Sequence, residues 1–192
     1  MTEYNFILPF LEQRSYLHGT TLYWRLRTLA PPFAETCFRI FRQIRSNSIH
    51  VTSLCKVDNP VARLDWTING ENQTLAVVEL PNNFPIERNF YNENLVIAAC
   101  RMDGHNIYLE GSTPFDPVAN AVSMFKYVLK ANGYTPDTGG QWMFTRLDGI
   151  AINPDRSDME LRLKLVRHCL VAKAELNFGG LWHADIYFSW VS

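Results

Sequence analysis

The chain has 192 residues, a formal net charge of −1, 47% hydrophobic residues and 13% aromatic residues. This is the composition of a folded globular protein, in one large domain or two small ones, and it excludes intrinsic disorder. The near-zero charge gives no global attraction to nucleic acid or anionic lipid, and no stretch approaches the roughly 20 apolar residues of a membrane span.

The first segment, MTEYNFILPFLEQR, lacks the basic start and small-residue cleavage site of a signal peptide. Thr20–Leu29 leans to strand by its β-branched and aromatic content, although its periodicity leaves a helix open. After the Pro31-Pro32 break, Ala34–Arg45 reads as a short helix, with Cys37, Phe38, Phe41 and Ile44 on one face. Ile49–Val57 reads as a strand. Arg63–Ile68 and Thr74–Leu80 flank Asn69-Gly70, a strong hairpin turn. Residues 81–94 form a polar, Pro/Asn-rich connection. Leu95–Met102 and His105–Leu109 then flank Asp103-Gly104 as a second hairpin.

The clearest signal follows. Asp116 to Gly133 carries an N-cap candidate, Pro117 in the first turn and a glycine where a C-cap belongs. Val118, Ala121, Val122, Phe125, Val128 and Leu129 share one face of that helix. Four strand-like runs complete the chain: Trp142–Ile152, Met159–Arg167, Leu170–Phe178 and Trp182–Val191. In the third-last run Met159, Leu161, Leu163 and Leu165 share a face. Ala172, Ala174, Leu176 and Phe178 repeat the alternation, and so do Trp182, Ala184, Ile186, Phe188 and Trp190, as in half-buried antiparallel strands.

The helix DPVANAVSMFKYVLKANG (116–133), the strand WMFTRLDGIAI (142–152) and the hairpin CLVAKAELNFGGLWHADIYFSW (169–190) together resemble the hotdog fold of hydroxyacyl-thioester dehydratases and acyl thioesterases. The resemblance covers residues 95–192. It implies an α+β fold in which a curved antiparallel sheet wraps a long central helix. The two halves of the chain share an outline, so the expectation is a double hotdog, with halves at 1–83 and 84–192. The resemblance also implies acyl-CoA or an acyl-carrier protein as partner, with an apolar tunnel for the acyl chain. A homo-oligomer stays open.

Hotdog dehydratases place a His just before the helix and an acid about two turns into a helix. Here the segment before the C-terminal helix is GSTPFDPV (111–118), with Ser112 near the expected His, and the helix offers only Asn120 and Ser123. Without an imidazole and an acid, dehydration cannot run at this half. The one catalytic pair suggested by the sequence is His18, which precedes the first expected helix, and Glu35, which opens it. The plainer alternative is a surface His and a first-turn Glu that favours the helix dipole.

Arg39 and Arg42, within the basic run that also holds Arg25, Arg27 and Arg45, are the candidates for the phosphates of a thioester carrier; a solvated helix face is the alternative. His50 reads as an edge or solvent-facing residue and His105 as a turn residue; His168 ends a strand beside Cys169, but adjacent strand residues point to opposite faces and do not make a dyad, and His183 shares a strand face with Asp185 without a third metal ligand. The scattered cysteines (Cys37, Cys55, Cys100, Cys169) make no zinc-ligand spacing and read as reduced cysteines of a cytoplasmic protein. No cofactor or metal is expected. Trp142, Trp182 and Trp190 are candidates to line a pocket. Three readings compete: an acyl-thioester binding or processing protein, dehydratase- or thioesterase-like, with degenerate catalytic residues; a non-catalytic interaction module; and a small-molecule-binding cone-shaped α+β barrel.

Overall fold

The computed structural model describes residues 2–32, 34–53, 57–81, 84–137, 139–150, 158–179 and 183–192. They divide into two compact units, Met1–Tyr91 and Asn92–Ser192. The fold is α+β, mostly antiparallel sheet with three helices among the described residues.

The first unit contains β1 (Glu3–Ile7), β2 (Phe10–Leu11), α1 (Gly19–Arg27), β3 (Glu35–Ile40), β4 (Ser48–Thr52), β5 (Ala62–Ile68), β6 (Glu71–Glu79) and β7 (Arg88–Asn89). Its main sheet runs β1-β4-β6-β5-β3, antiparallel throughout, while β2 and β7 form a small parallel pair. Asn69 (φ 51°) and Gly70 (φ 80°) turn β5 into β6, the left-handed pair that a two-residue hairpin demands.

Helix and strand are exchanged relative to expectation between residues 19 and 45. Gly19–Arg27 is helical because Leu22, Tyr23 and Leu26, each 1% exposed or less, fall on one helical face and are buried together. Tertiary burial outweighs the β-branched and aromatic content. Glu35–Ile40 is a strand: Thr36 and Phe38 are buried and alternate with more exposed neighbours. The apolar positions 37, 38, 41 and 44 mimic a helical face, yet Phe41 is 52% exposed.

The Glu79 carboxylate organises the segment beyond β3. Its Oε1 accepts the N–H groups of Arg45 (2.6 Å) and Ser46 (2.7 Å), and its Oε2 accepts from Arg42 Nη1 (2.8 Å). Between these anchors the Ile44 carbonyl accepts the Leu17 N–H (2.8 Å), which fixes the approach to α1.

The second unit contains α2 (Glu93–Ala98), β8 (Cys100–Asp103), β9 (Asn106–Leu109), α3 (Pro117–Ala131), β10 (Gln141–Ile150), β11 (Met159–Arg167), β12 (Val171–Phe178) and β13 (His183–Val191). Its strand order is β10-β13-β12-β11-β9-β8, again antiparallel. The expected strand over Leu95–Met102 is split. Asn92 caps α2 through its side chain, which accepts from the Asn94 N–H, and only Cys100 onward is extended.

Helix α3 forms as its sequence dictates. The Asp116 carboxylate accepts the Ala119 N–H (2.8 Å) and Pro117 opens the first turn. At the other end Gly133 (φ 73°) closes a Schellman motif: Tyr134 N–H reaches the Leu129 carbonyl (2.8 Å) and Gly133 N–H that of Lys130 (3.1 Å). Val118, Ala121, Val122, Phe125, Val128 and Leu129 are all fully buried. Phe125 meets Phe188 of β13 edge-on, with centroids 4.6 Å apart.

The terminal strands alternate as expected, with one exception. A register shift between Leu163 and Leu165 turns Leu165 outward, and it is 46% exposed. Trp182, Gly180 and Ile152 lie outside the described residues. No described helix is long and apolar enough to cross a membrane.

Two substitutions separate cap from clamp in urea denaturation. Asp116→Ala is expected to cost about 1 kcal/mol. Glu79→Ala is expected to cost about 3 kcal/mol, because two backbone N–H groups lose their acceptor at once.

Candidate active site at the start of helix α1

His18 is the N-cap residue of α1, in extended conformation (φ −74°, ψ 138°). Its carbonyl accepts the Leu22 N–H and so starts the helix. The ring is not used for capping. Its Nδ1 lies 2.8 Å from the Thr20 hydroxyl, a buried hydrogen bond. His18 is 5% exposed and Thr20 1%. On the other side stands the buried ring of Tyr91, with centroids 5.9 Å apart and a 41° tilt. The imidazole is therefore oriented by a hydroxyl and packed by an aromatic.

Thr20 can serve either ring tautomer. If its O–H donates to Nδ1, Nε2 carries the proton and can polarise a carbonyl. If Nδ1 donates to Oγ1, Nε2 is a base.

Glu35 is exposed at the first position of β3, and no hydrogen bond or ion pair joins it to His18 among the described residues. The spacing that suggested the pair assumed a helix over 34–45, and that helix is a strand. Arg39 is exposed on β3, with Nε 3.1 Å from Cys37 Sγ. Arg42 is committed to Glu79. Thr20 and Tyr91 escaped the sequence reading: Thr20 sat in a run read as strand, and Tyr91 in a stretch read as connection. The legible signal was His18-Gly19 followed by hydroxyl residues.

The start of α3 offers a polar cluster without an acid beyond the cap. Asn120, 5% exposed, accepts from the Thr113 hydroxyl at 2.8 Å, and its amide reaches the Phe115 carbonyl at 3.4 Å. Ser123 donates to the Ala119 carbonyl at 3.1 Å. Trp142 and Trp190 pack edge-on at 5.6 Å, and the buried Trp142 Nε1 finds no partner among the described residues.

The described cleft of the second unit, about 480 Å³, is lined by Arg101, Tyr108, Glu110, Glu160 and Asn177 among others. Arg101 pairs with Glu110 at 2.5 Å and stacks over Tyr108 at 4.4 Å. Its charged, open walls do not suit an acyl chain.

His50 bonds Asn5 Oδ1 (2.9 Å), and His105 reaches the Tyr134 hydroxyl (3.4 Å). His168 and Cys169, both at positive φ, form the β11–β12 turn. Among the described residues no group of three or more His, Cys, Asp or Glu could hold a metal. Cys100 is no nucleophile. Its thiol donates to the Val96 carbonyl (3.1 Å), and burial, with Glu110 adding to it, pushes its pKa up to about 11.

No family model matches the sequence, and no curated protein matches it. Solved structures do. A protein assigned as a thioesterase II from Thermobifida fusca YX superposes with a TM-score of 0.53 at 12% identity, covering 99% of this chain and 94% of that one. The dehydratase domain of PpsC from Mycobacterium tuberculosis, in complex with C12:1-CoA, gives 0.54 at 7% identity over 98% and 92%. A bifunctional dehydratase-cyclase domain from ambruticin biosynthesis gives 0.53 at 11% identity over 92% and 83%. At such identities the likeness establishes the fold, and the chain has a hotdog fold.

The raised pKa of Cys100 has a direct consequence. At pH 8.5 iodoacetamide is expected to alkylate Cys100 on the order of 100-fold more slowly in the folded chain than in urea, because the thiolate fraction falls by about two pH units' worth. The proton is held more tightly in the folded state, so this contribution to stability is present below the unfolded thiol pKa and is lost as pH rises through about 11. Peptide mass mapping reads the rate.

Proposed function

We propose that the chain is a double hotdog that binds and processes acyl thioesters carried on coenzyme A or an acyl-carrier protein, with His18 as the group that meets the thioester. In this reading each unit is one hotdog: α1 and α3 are the central helices and the two antiparallel sheets wrap them. The observation that carries the proposal is the buried imidazole at the N-cap of α1, oriented by Thr20 and packed by Tyr91. If α1 is the central helix of a first hotdog, His18 corresponds to the His that the resembling dehydratases hold just before theirs. The similar solved structures include a thioesterase and dehydratase domains, one of them bound to an acyl-CoA, which supports the same substrate class.

Among the reactions of that class, hydrolysis suits these residues better than dehydration. Dehydration needs a base for the α-proton and an acid for the departing hydroxyl. Helix α3 supplies an amide, Asn120, where an acid would be required. Hydrolysis needs one base: His18 Nε2 takes a proton from water, the hydroxide adds to the thioester carbonyl, and the thiolate departs with that proton. A second reading, a binding module without turnover, is favoured by the same Asn120.

Thiol release from acyl-CoA esters of graded chain length, beside hydration of an enoyl-CoA, decides between them. The proposal expects thiol release that His18→Ala lowers at least about 100-fold in kcat, with the folded circular-dichroism spectrum kept at the assay temperature. Thr20→Val is expected to lower kcat by a smaller factor and leave KM unchanged, because it removes the hydroxyl that orients the ring without removing the ring. Absence of turnover across the whole panel would transfer the weight to the binding module.

A further inference from the structure

The parallel pair β2–β7 brings two arginines to the segment that leads to His18. Phe10 is in register with Arg88 and Leu11 with Asn89, and the pairing continues through Phe10 N–H to the Glu87 carbonyl (2.9 Å) and Glu12 N–H to the Asn89 carbonyl (2.9 Å). Beyond the pair the two chains run on to the site. One passes Arg14 and Tyr16 to His18; the other passes Phe90 to Tyr91, whose ring stands against His18.

Arg88 is exposed, and its Nη1 donates to the carbonyls of Glu12 and Arg14, the latter at 3.0 Å. Carbonyl oxygens orient a guanidinium without neutralising it. Among the described residues no carboxylate pairs with Arg88. The neighbouring Glu12 and Glu87 are exposed and make no ion pair there. Arg14 lies over the buried Tyr16 ring, 5.8 Å from its centroid, and donates to the Tyr16 hydroxyl at 2.7 Å. Arg42, by contrast, already carries its counter-ion in Glu79. A guanidinium held in place by backbone, with donors left over, is suited to grip a phosphate.

We infer that Arg88 is the docking point for a phosphate of the substrate's pantetheine-type carrier arm, at the outer end of the segment that delivers His18. This rests on the acyl-thioester reading and names how the carrier is recognised. The arm's own phosphate and the nucleotide phosphates of coenzyme A share this chemistry, and probes of graded length separate them.

The test is titration calorimetry with three non-hydrolysable thioethers: S-dodecyl-pantetheine, S-dodecyl-4′-phosphopantetheine and S-dodecyl-coenzyme A. The variant is Arg88→Gln, which keeps side-chain N–H donors for the local hydrogen bonds and removes the charge. The inference expects the variant to weaken the phosphorylated probes about tenfold and to leave the pantetheine probe within about twofold. Weakening of both phosphorylated probes assigns the contact to the arm's phosphate; weakening of the coenzyme A probe alone assigns it to the nucleotide end. Unchanged affinity for all three probes overturns the inference and leaves the thioester reading standing. Equal loss for all three, pantetheine included, overturns it in favour of a purely structural role. Failure of the unaltered chain to bind any probe overturns both.

Discussion

The candidate site depends on one backbone hydrogen bond, Leu17 N–H to the Ile44 carbonyl. It pins the chain one residue before His18, so that His18 enters α1 extended and its ring turns inward beside Thr20. The acceptor is held in turn. Glu79 grips the N–H groups on the far side of Ile44 and the Arg42 side chain before it. A carboxylate at the end of β6 thus sets the position of an imidazole to which it is not bonded. Positioning of this kind is what a reactive ring needs, because small errors in placement cost large factors in rate.

Three arginines of the first unit differ in their partners. Arg42 belongs to the scaffold. Arg27, 7% exposed, donates to the carbonyls of Ala30 and Pro31 and fastens the chain leaving α1; burial holds its pKa below the usual arginine value. Arg88 differs from both, since its partners leave its charge uncompensated. The distinction is chemical and cannot be made by counting arginines in a basic run.

What the sequence disclosed follows from where local and tertiary preferences agree. The Asn69-Gly70 turn, the Asp116 cap with Pro117 and Gly133, and the alternation of β12 and β13 are each specified within a few residues, and all are present. Thr20–Leu29, which leans to strand with a helix left open, is helix, and Ala34–Arg45, which reads as helix, holds a strand, because composition and packing disagree there. Thr20, Tyr23 and Trp24 favour strand, yet burial of Leu22, Tyr23 and Leu26 makes them helix. Leu165 was misplaced because a bulge has no local signature in a run of alternating Leu. At the site, His18 was legible as an imidazole before a glycine. Its setting was not, since Tyr91 is 73 positions away and Thr20 gains its role only once α1 is a helix. Glu35 was paired with His18 on the strength of an element that does not form.

The central claim is that the folded chain holds an acyl thioester. Its most direct measurement is thermal denaturation with and without acyl-coenzyme A esters and free fatty acids of increasing chain length. A melting temperature that rises with acyl length, and more for the thioesters than for the acids, places the ligand on the folded state as predicted. A melting temperature that stays flat across the whole series contradicts the account.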